Sequence, residues 1–552
     1  MALRRAGYTA CPQTAAMAAA RPGRPLGGLV PEVFDIVTVG AGHNGLVAAA
    51  YLAVAGRRVV VLERNAWLGG GVVTRELTVP GFLHDQHSMA HIFIQGNPLL
   101  LADELKLQQR YGLSYVFPDP PVTSLFEDGE RLSLYRSRER TWAGIARFSR
   151  KDADAYRRLS EQAATWLPMI AATLYSAPAP MGASTALLDQ SREGRELWRI
   201  TQMSTHELLT RTFEDERVRM HFARVAGETL AAPDEKATAL GIYVLLGFLE
   251  AHGFGVPLGG SGSLTRALVS CIEDHGGKVL AGVEVEQILT RAGRAVGVRT
   301  RAGGEFMARD AVIAAVHPHH LGRLVQDVDP AIAADAAATE ITPNACITVH
   351  AALSEPLRTR SGEPVSSVML ELLPPSYERL RRSFDDLRYG ALAADPLIGL
   401  GSLSQFDGSR APLGKATLHA WDYVPYTRAD GRSWDEAKAG YARRMVEHMT
   451  RFLPNLAGSI IALHCDSPLD MERTSASFVR GDLHGIAMPT YQQGSHRPTP
   501  ELAQFVVPGT ERLYLVGPFQ HPGGGVFGAG RATAQRLCED LKIDFAKLPG
   551  RV

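Results

Sequence analysis

Apolar residues fall along the chain in two kinds of run. Short, mostly apolar ones, Phe34 to Val39, Arg58 to Leu62, Ala311 to Ala315 and Leu513 to Val516, read as strands buried on both faces, the habit of a parallel sheet. Others recur every three or four residues and predict helices, from about Asn44 to Ala55, through "DADAYRRLSEQAATWLPMIAATL" (152–174) and through "SWDEAKAGYARRMVEHMTRFL" (433–453). Residues 276–315 alternate in strand-sized pieces broken by glycine pairs, a β-meander that closes on the 311–315 strand, and "ACITVHAAL" (345–353) is a further strand. No tandem repeat and no low-complexity segment follows residue 31. Strands alternating with helices imply an α/β fold.

The first strand runs straight into Gly40, Gly42 and Gly45, a G-x-G-x-x-G turn that opens a small-residue helix carrying Ala48, Ala49 and Ala50. Such a turn lets backbone approach a pyrophosphate and aims the helix N-terminus at it. Glu63 ends the second strand 23 residues after Gly40, where a carboxylate accepts from both ribose hydroxyls and would repel the extra phosphate of NADP. NAD and FAD remain. The pattern then extends as E-x(5)-G-G-x(3)-T through Gly69, Gly70 and Thr74, a second close backbone approach that a longer cofactor lying across the domain needs and NAD does not. At the far end of the chain, Gly517 and the loop Gly523, Gly524, Gly525, Gly528 and Gly530 lead into another helix, again an anion-binding arrangement. These features favour FAD.

The pieces G-A-G-H-N-G-L (40–46), E-x(5)-G-G (63–70), P-L-G-G-S-G-S-L (257–264) and H-P-G-G-G (521–525) together resemble the phytoene desaturase-type flavoprotein family, within the wider group that includes amine oxidases, and in particular its branch bearing the pyridine nucleotide-disulfide oxidoreductase domain name. The resemblance implies a non-covalent FAD, a discontinuous Rossmann-like FAD-binding domain of glutathione reductase/amine oxidase type (32–95, 255–325 and 505–545) and an α+β substrate domain (96–254 and 326–504). By the same resemblance the cofactor is contacted by Gly40, Gly42, His43, Asn44, Gly45, Glu63, Arg64, Gly69, Gly70, Thr74, Ser88, Met89, Val285, Gly517, Gly525, Val526 and Phe527, with Val283 to Val285 at its adenine end. His521 lies in the loop expected to reach the flavin ring and is the candidate catalytic residue, orienting substrate or moving a proton. Many relatives place an arginine after the paired glycines; Gly71 stands there.

The remaining features narrow the chemistry. With 58 basic and 58 acidic residues, the chain offers no global attraction for nucleic acid or an anionic membrane. Cys11, Cys271, Cys346, Cys465 and Cys538 lie far apart, so no redox dithiol supports the "disulfide" of the branch name. The i, i+3, i+7 spacing of His84, His87 and His91 lacks an adjacent acidic ligand motif and predicts no metal site, while His317, His319 and His320 read as a hinge after a cofactor-domain strand. Trp421, Tyr423 and Tyr426 are candidates for an apolar pocket. The longest mid-chain uncharged apolar stretch, Ala237 to Leu249, is too short to span a bilayer. The cytoplasm is the expected compartment, with at most peripheral membrane contact; residues 1–31, basic and free of acids, are a disordered tail or, if a presequence, a mitochondrial address. The expectation is an FAD-dependent oxidoreductase that oxidises or desaturates a lipophilic, isoprenoid- or carotenoid-like substrate by hydride transfer to flavin N5 and passes electrons to an acceptor the sequence does not name. A redox-neutral isomerase, an amine or alcohol oxidase and a non-catalytic flavin-stabilised interaction protein are the alternatives.

Overall fold

The short apolar runs pair side by side. In the computed structural model, which describes residues 32–548, Glu32–Val39 lies parallel to Val59–Glu63 on one side and to Glu305–Ala314 on the other. Lys278–Ala281 extends the sheet beyond Val59–Glu63, and Thr510–Leu515 beyond Glu305–Ala314. Antiparallel strands Val285–Arg291 and Arg294–Thr300 complete an eight-stranded sheet with the short Val506–Val507. Ile36, Val37, Val59, Val60 and Val61 are wholly buried, as strands covered on both faces require. The N-terminal tail and Cys11 lie outside the described residues.

Three helices, His43–Val54, Gly262–Asp274 and Gly530–Asp540, cover one face of this sheet. Small residues let them approach closely. A Cβ at Gly530 would stand 2.0 Å from the carbonyl oxygen of Asn44, so helix and helix touch backbone to backbone there. The chain therefore reaches the first glycine turn from both of its ends.

A second sheet of seven strands faces the cofactor-type half. Its centre is the pair Asn344–Leu353 and Ala416–Pro425, antiparallel over ten residues each, with Ile460–Asp466 beside the first. Alternation sorts their side chains. Ile347, Val349, Ala351, Leu418, Ala420 and Val424 pack with the helix Trp434–Thr450 in one core, while Cys346, Trp421 and Tyr423 join the other, built on the helices Arg150–Leu174 and Leu240–His252. The 96–254 segment, mainly helical by pattern, also contributes strands Val122–Leu125 and Arg131–Leu134 to this sheet. Four residues each, with Val122–Leu125 buried throughout, they carry too little alternation to be read from sequence. No helix among the described residues is long and apolar enough to cross a membrane.

Candidate active site: a cavity between two sheets

A cavity of ≈ 410 Å³ runs from the glycine turns to the seven-stranded sheet. At one end the walls are backbone. The two glycine loops are tied together, Gly69 N–H donating to the Ala41 carbonyl at 2.9 Å and Gly40 N–H to that of Leu62 at 2.8 Å. The helix His43–Val54 begins at Gly42 without a side-chain cap, so its first N–H groups face the cavity unpaired. A Cβ on Gly42 would meet no protein atom within 4 Å; it would project into the space a bound group needs.

Polar side chains at this end also wait for partners. His43 Nε2 and both side-chain atoms of Asn44 are buried with no partner in the protein. Burial pulls His43 down to about 4, so its imidazole is neutral near pH 7. Glu63 accepts the Ala41 N–H on one carboxylate oxygen and the Asn65 N–H on the other, both at 2.9 Å. Burial raises its carboxyl above the ordinary value, and those two amides oppose the rise. Each oxygen retains a lone pair for a further donor. Uncapped helix, orphaned amide, anchored carboxylate and open glycine are what a dinucleotide would satisfy, so the residues present fit FAD.

All the cofactor residues named from sequence line the cavity except three. Gly69 sits behind the wall at φ +110°, where a Cβ would fall 2.2 Å from the Val72 carbonyl oxygen; it shapes the turn. Thr74 Oγ1 donates to Asp85 at 2.6 Å and accepts the Gly262 N–H at 2.8 Å, joining the loop to the 257–264 segment. Phe527 stacks flat on Phe93 with centroids 4.6 Å apart, and its carbonyl accepts from Asn97. All three are wall supports. Val283 to Val285 do line the cavity, with Val283 N–H donating to the Glu63 carbonyl at 2.7 Å. Where relatives carry an arginine, Gly71 lies against Phe478, and Arg64 and Arg323 are the cations of the lining.

His521 stands apart from the other residues named from sequence. It is absent from the cavity wall, and its Nε2 lies 2.8 Å from the carbonyl of Thr173, in the last turn of Arg150–Leu174. The helix claims the imidazole as an anchor, so the ring does not face the cavity. Of the three histidines after the second glycine loop only His87 lines the cavity; His91 is locked between Tyr115 and Ser261 at 2.9 and 2.7 Å. The 317–320 segment is pinned rather than hinge-like: its three rings each reach a carbonyl, of Gly485, Thr339 and Ala476, and His317 and His320 face the cavity.

The opposite end is made of side chains. Met89, Ile92, Phe93, Leu230, Phe254 and Met369 supply apolar wall. Trp421 and Tyr423 join it, whereas Tyr426 bonds Glu472 away from it. Glu228 is the carboxylate here, and it is already held, by Tyr423 Oη at 2.8 Å, Trp421 Nε1 at 3.2 Å and Arg224. Arg224 is wholly buried and also lies 2.9 Å from the equally buried Glu371. One guanidinium serves two carboxylates, and burial holds Glu371 well above the usual range. Glu228 and Arg224 carried no sequence signal, since only long-range pairing brings them here; Thr348 and His419 could have been found from strand alternation. Among the described residues no group of three or more His, Cys, Asp or Glu is arranged to hold a metal ion.

Comparison with known proteins decides the cofactor. The family model for flavin containing amine oxidoreductases matches residues 45–537. The chain belongs to that family. Its fold is the α/β flavoprotein fold, a Rossmann-like FAD domain with a substrate domain, and its cofactor is FAD. It is 30% identical to the mouse pyridine nucleotide-disulfide oxidoreductase domain-containing protein 2, over 94% of this chain and 95% of that one. It is 26% identical to a lycopene-forming phytoene desaturase of Pseudescherichia vulneris, over 92% and 99%. The solved structure of cyclohexylamine oxidase from Brevibacterium oxydans superposes with a TM-score of 0.59 at 17% identity, covering 92% of this chain and 99% of that one.

Proposed function

We propose that this flavin oxidoreductase oxidises or desaturates a lipophilic substrate of isoprenoid or carotenoid type. The observation that carries the reading is the cavity itself: the space beyond the cofactor end is walled by Met89, Ile92, Phe93, Leu230, Phe254 and Met369, and its one carboxylate, Glu228, has its Oε1 taken by three donors. Similarity to a phytoene desaturase supports it. Bound FAD supplies the hydride acceptor, at N5. The residues of this chain then have three tasks: Gly42, Asn44 and Glu63 hold the cofactor, the apolar wall desolvates and orients the substrate C–H, and neutral imidazoles at the wall, His87 and His419, can receive a proton. Peripheral contact with a membrane that stores such a substrate, and an electron acceptor outside the chain, belong to the same proposal.

The experiment is anaerobic mixing of the FAD-loaded protein with isoprenoid hydrocarbons and, separately, with primary amines, followed by the flavin absorbance. Bleaching by the hydrocarbons alone is expected. Bleaching by amines alone would make the protein an amine oxidase, double-bond isomerisation without net oxidation would make it an isomerase, and a flavin inert to both would favour an interaction protein.

A further inference from the structure

Across three neighbouring strands of the second sheet runs a row of histidines. His350 on Asn344–Leu353 stands directly opposite His419 on Ala416–Pro425 and His464 on Ile460–Asp466. Ring centroids are 4.5 Å apart on the first side and 6.2 Å on the second. His84, from the loop after the paired glycines, meets His350 edge-on at 5.6 Å. One end of the row is His419, in the cavity wall; the other is His464, whose side chain is 31% exposed and whose Nε2 lies 3.0 Å from Asp466.

The interior of this row is costly to maintain as mere packing. Neither nitrogen of His350 has a partner in the protein, and Nδ1 of His419 and Nδ1 of His84 have none. Phenylalanine or leucine would fill the same space without stranding polar atoms. Burial holds His350 well below the ordinary imidazole value and His84 and His419 at about 3. The neighbouring histidines and Arg410 push the same way, while Asp466, fixed by Gln86 at 2.9 Å, is the opposing charge. A neutral imidazole has one donor and one acceptor nitrogen, so it can take a proton on one side and give one up on the other.

We propose that His419, His350 and His464 form a proton path between the cavity and solvent, with water bridging the unpartnered nitrogens. A proton taken up at either end, His419 or His464, is matched by one released at the other, so nothing is oxidised or reduced along the row. The path rests on the oxidoreductase reading, which requires protons to cross a buried wall, but not on any particular substrate.

The test therefore uses none. Two-electron photoreduction of the FAD-loaded protein draws a proton from solution, and a pH indicator in weak buffer follows that uptake. Wild-type protein should take up the proton in step with reduction, and His350→Phe should slow the uptake at least tenfold with the flavin still bound. Should that variant fail to fold, His464→Ala, at the partly exposed mouth, decides: slowed uptake restored by added imidazole supports the path. Uptake at the wild-type rate in the flavin-bound variant, or slowed uptake that imidazole does not rescue in His464→Ala, would overturn it. Failure to oxidise isoprenoids would leave this result untouched and count only against the substrate.

Discussion

At the nucleotide end of the cavity most polar groups come from two short stretches, 40–45 and 63–70, as a helix terminus, backbone amides, the Glu63 carboxylate and the side chains of His43, Asn44 and Arg64; at the opposite end they are side chains carried by antiparallel strands and helices far apart in sequence. The first kind of wall is set by local geometry, and a methyl group is enough to spoil it. The second is set by which strand lies beside which, and it is sensitive to charge and volume instead. The two ends should therefore fail in different ways.

Backbone contact predicts the largest effect. Gly530→Val places side-chain carbon against the Asn44 carbonyl at the closest helix approach, so we expect a loss of about 3 kcal/mol or more and little folded protein. Gly42→Val meets no protein atom and should fold with the melting temperature of the wild-type apoprotein, yet emerge colourless. A yellow Gly42→Val protein would break the contrast.

At the side-chain end the counterpart is Arg224→Met. It leaves the buried Glu371 carboxyl without its cationic partner and should cost about 3–5 kcal/mol in urea melts. Adding Glu371→Leu should recover most of that loss, since the penalty belongs to the buried polar group left without a partner. No recovery would mean that Arg224 matters through its bonds to Glu228 and Tyr423.

Smaller again is Glu63→Ala. With Glu63 in its proposed role of holding the cofactor, the variant should weaken FAD by about 1.5–3 kcal/mol, measured by titrating apoprotein with flavin. Retention of wild-type affinity would show that the carboxylate only orders Ala41 and Asn65.

The same division explains what could be read in the chain. The strand, turn, helix, strand and acid from Phe34 to Glu63 lie in a row, so their spacing alone implies a cradle, and Gly40, Gly42, Asn44 and Glu63 do face the cavity. The sheet partners of His350 are some 70 and 110 residues away, and no local pattern states that pairing. Strand alternation would have put Thr348 and His350 on one face, but not which partner that face meets. The placement of His521 was hidden for a related reason: its loop borders the cofactor half, yet the ring points at a helix that the loop's own sequence does not mention.

Acid stability probes the side-chain end through its buried histidines. His419 and His84 are held at about 3 in the fold, chiefly by burial, against about 6.5 in an unfolded chain. Between those values the unfolded state binds more protons, so stability rises with pH, is complete above about 6.5, and is lost as pH falls toward 3. Each such histidine contributes a slope of about 1.4 kcal/mol per pH unit within that window. His419→Leu should flatten the dependence by that amount in urea melts at pH 5 and 6, and an unchanged slope would mean that the imidazole is already protonated in the fold.

The smallest expected effect belongs to His521. Its contact with the Thr173 carbonyl ties the C-terminal glycine loop to the end of Arg150–Leu174, at a position away from the cavity wall. His521→Ala should then cost about 1 kcal/mol of stability, the net worth of one hydrogen bond, and leave FAD affinity unchanged. Stopped-flow reduction of the bound flavin should proceed at the wild-type rate, because no group touching the cavity has been removed. A positioned acid or base typically contributes a hundredfold or more, so the two roles are separated by a wide margin. A fall of that size with stability intact would mean that the loop swings inward when substrate binds, and the side-chain end of the cavity would then include a residue that this arrangement of the chain keeps outside it.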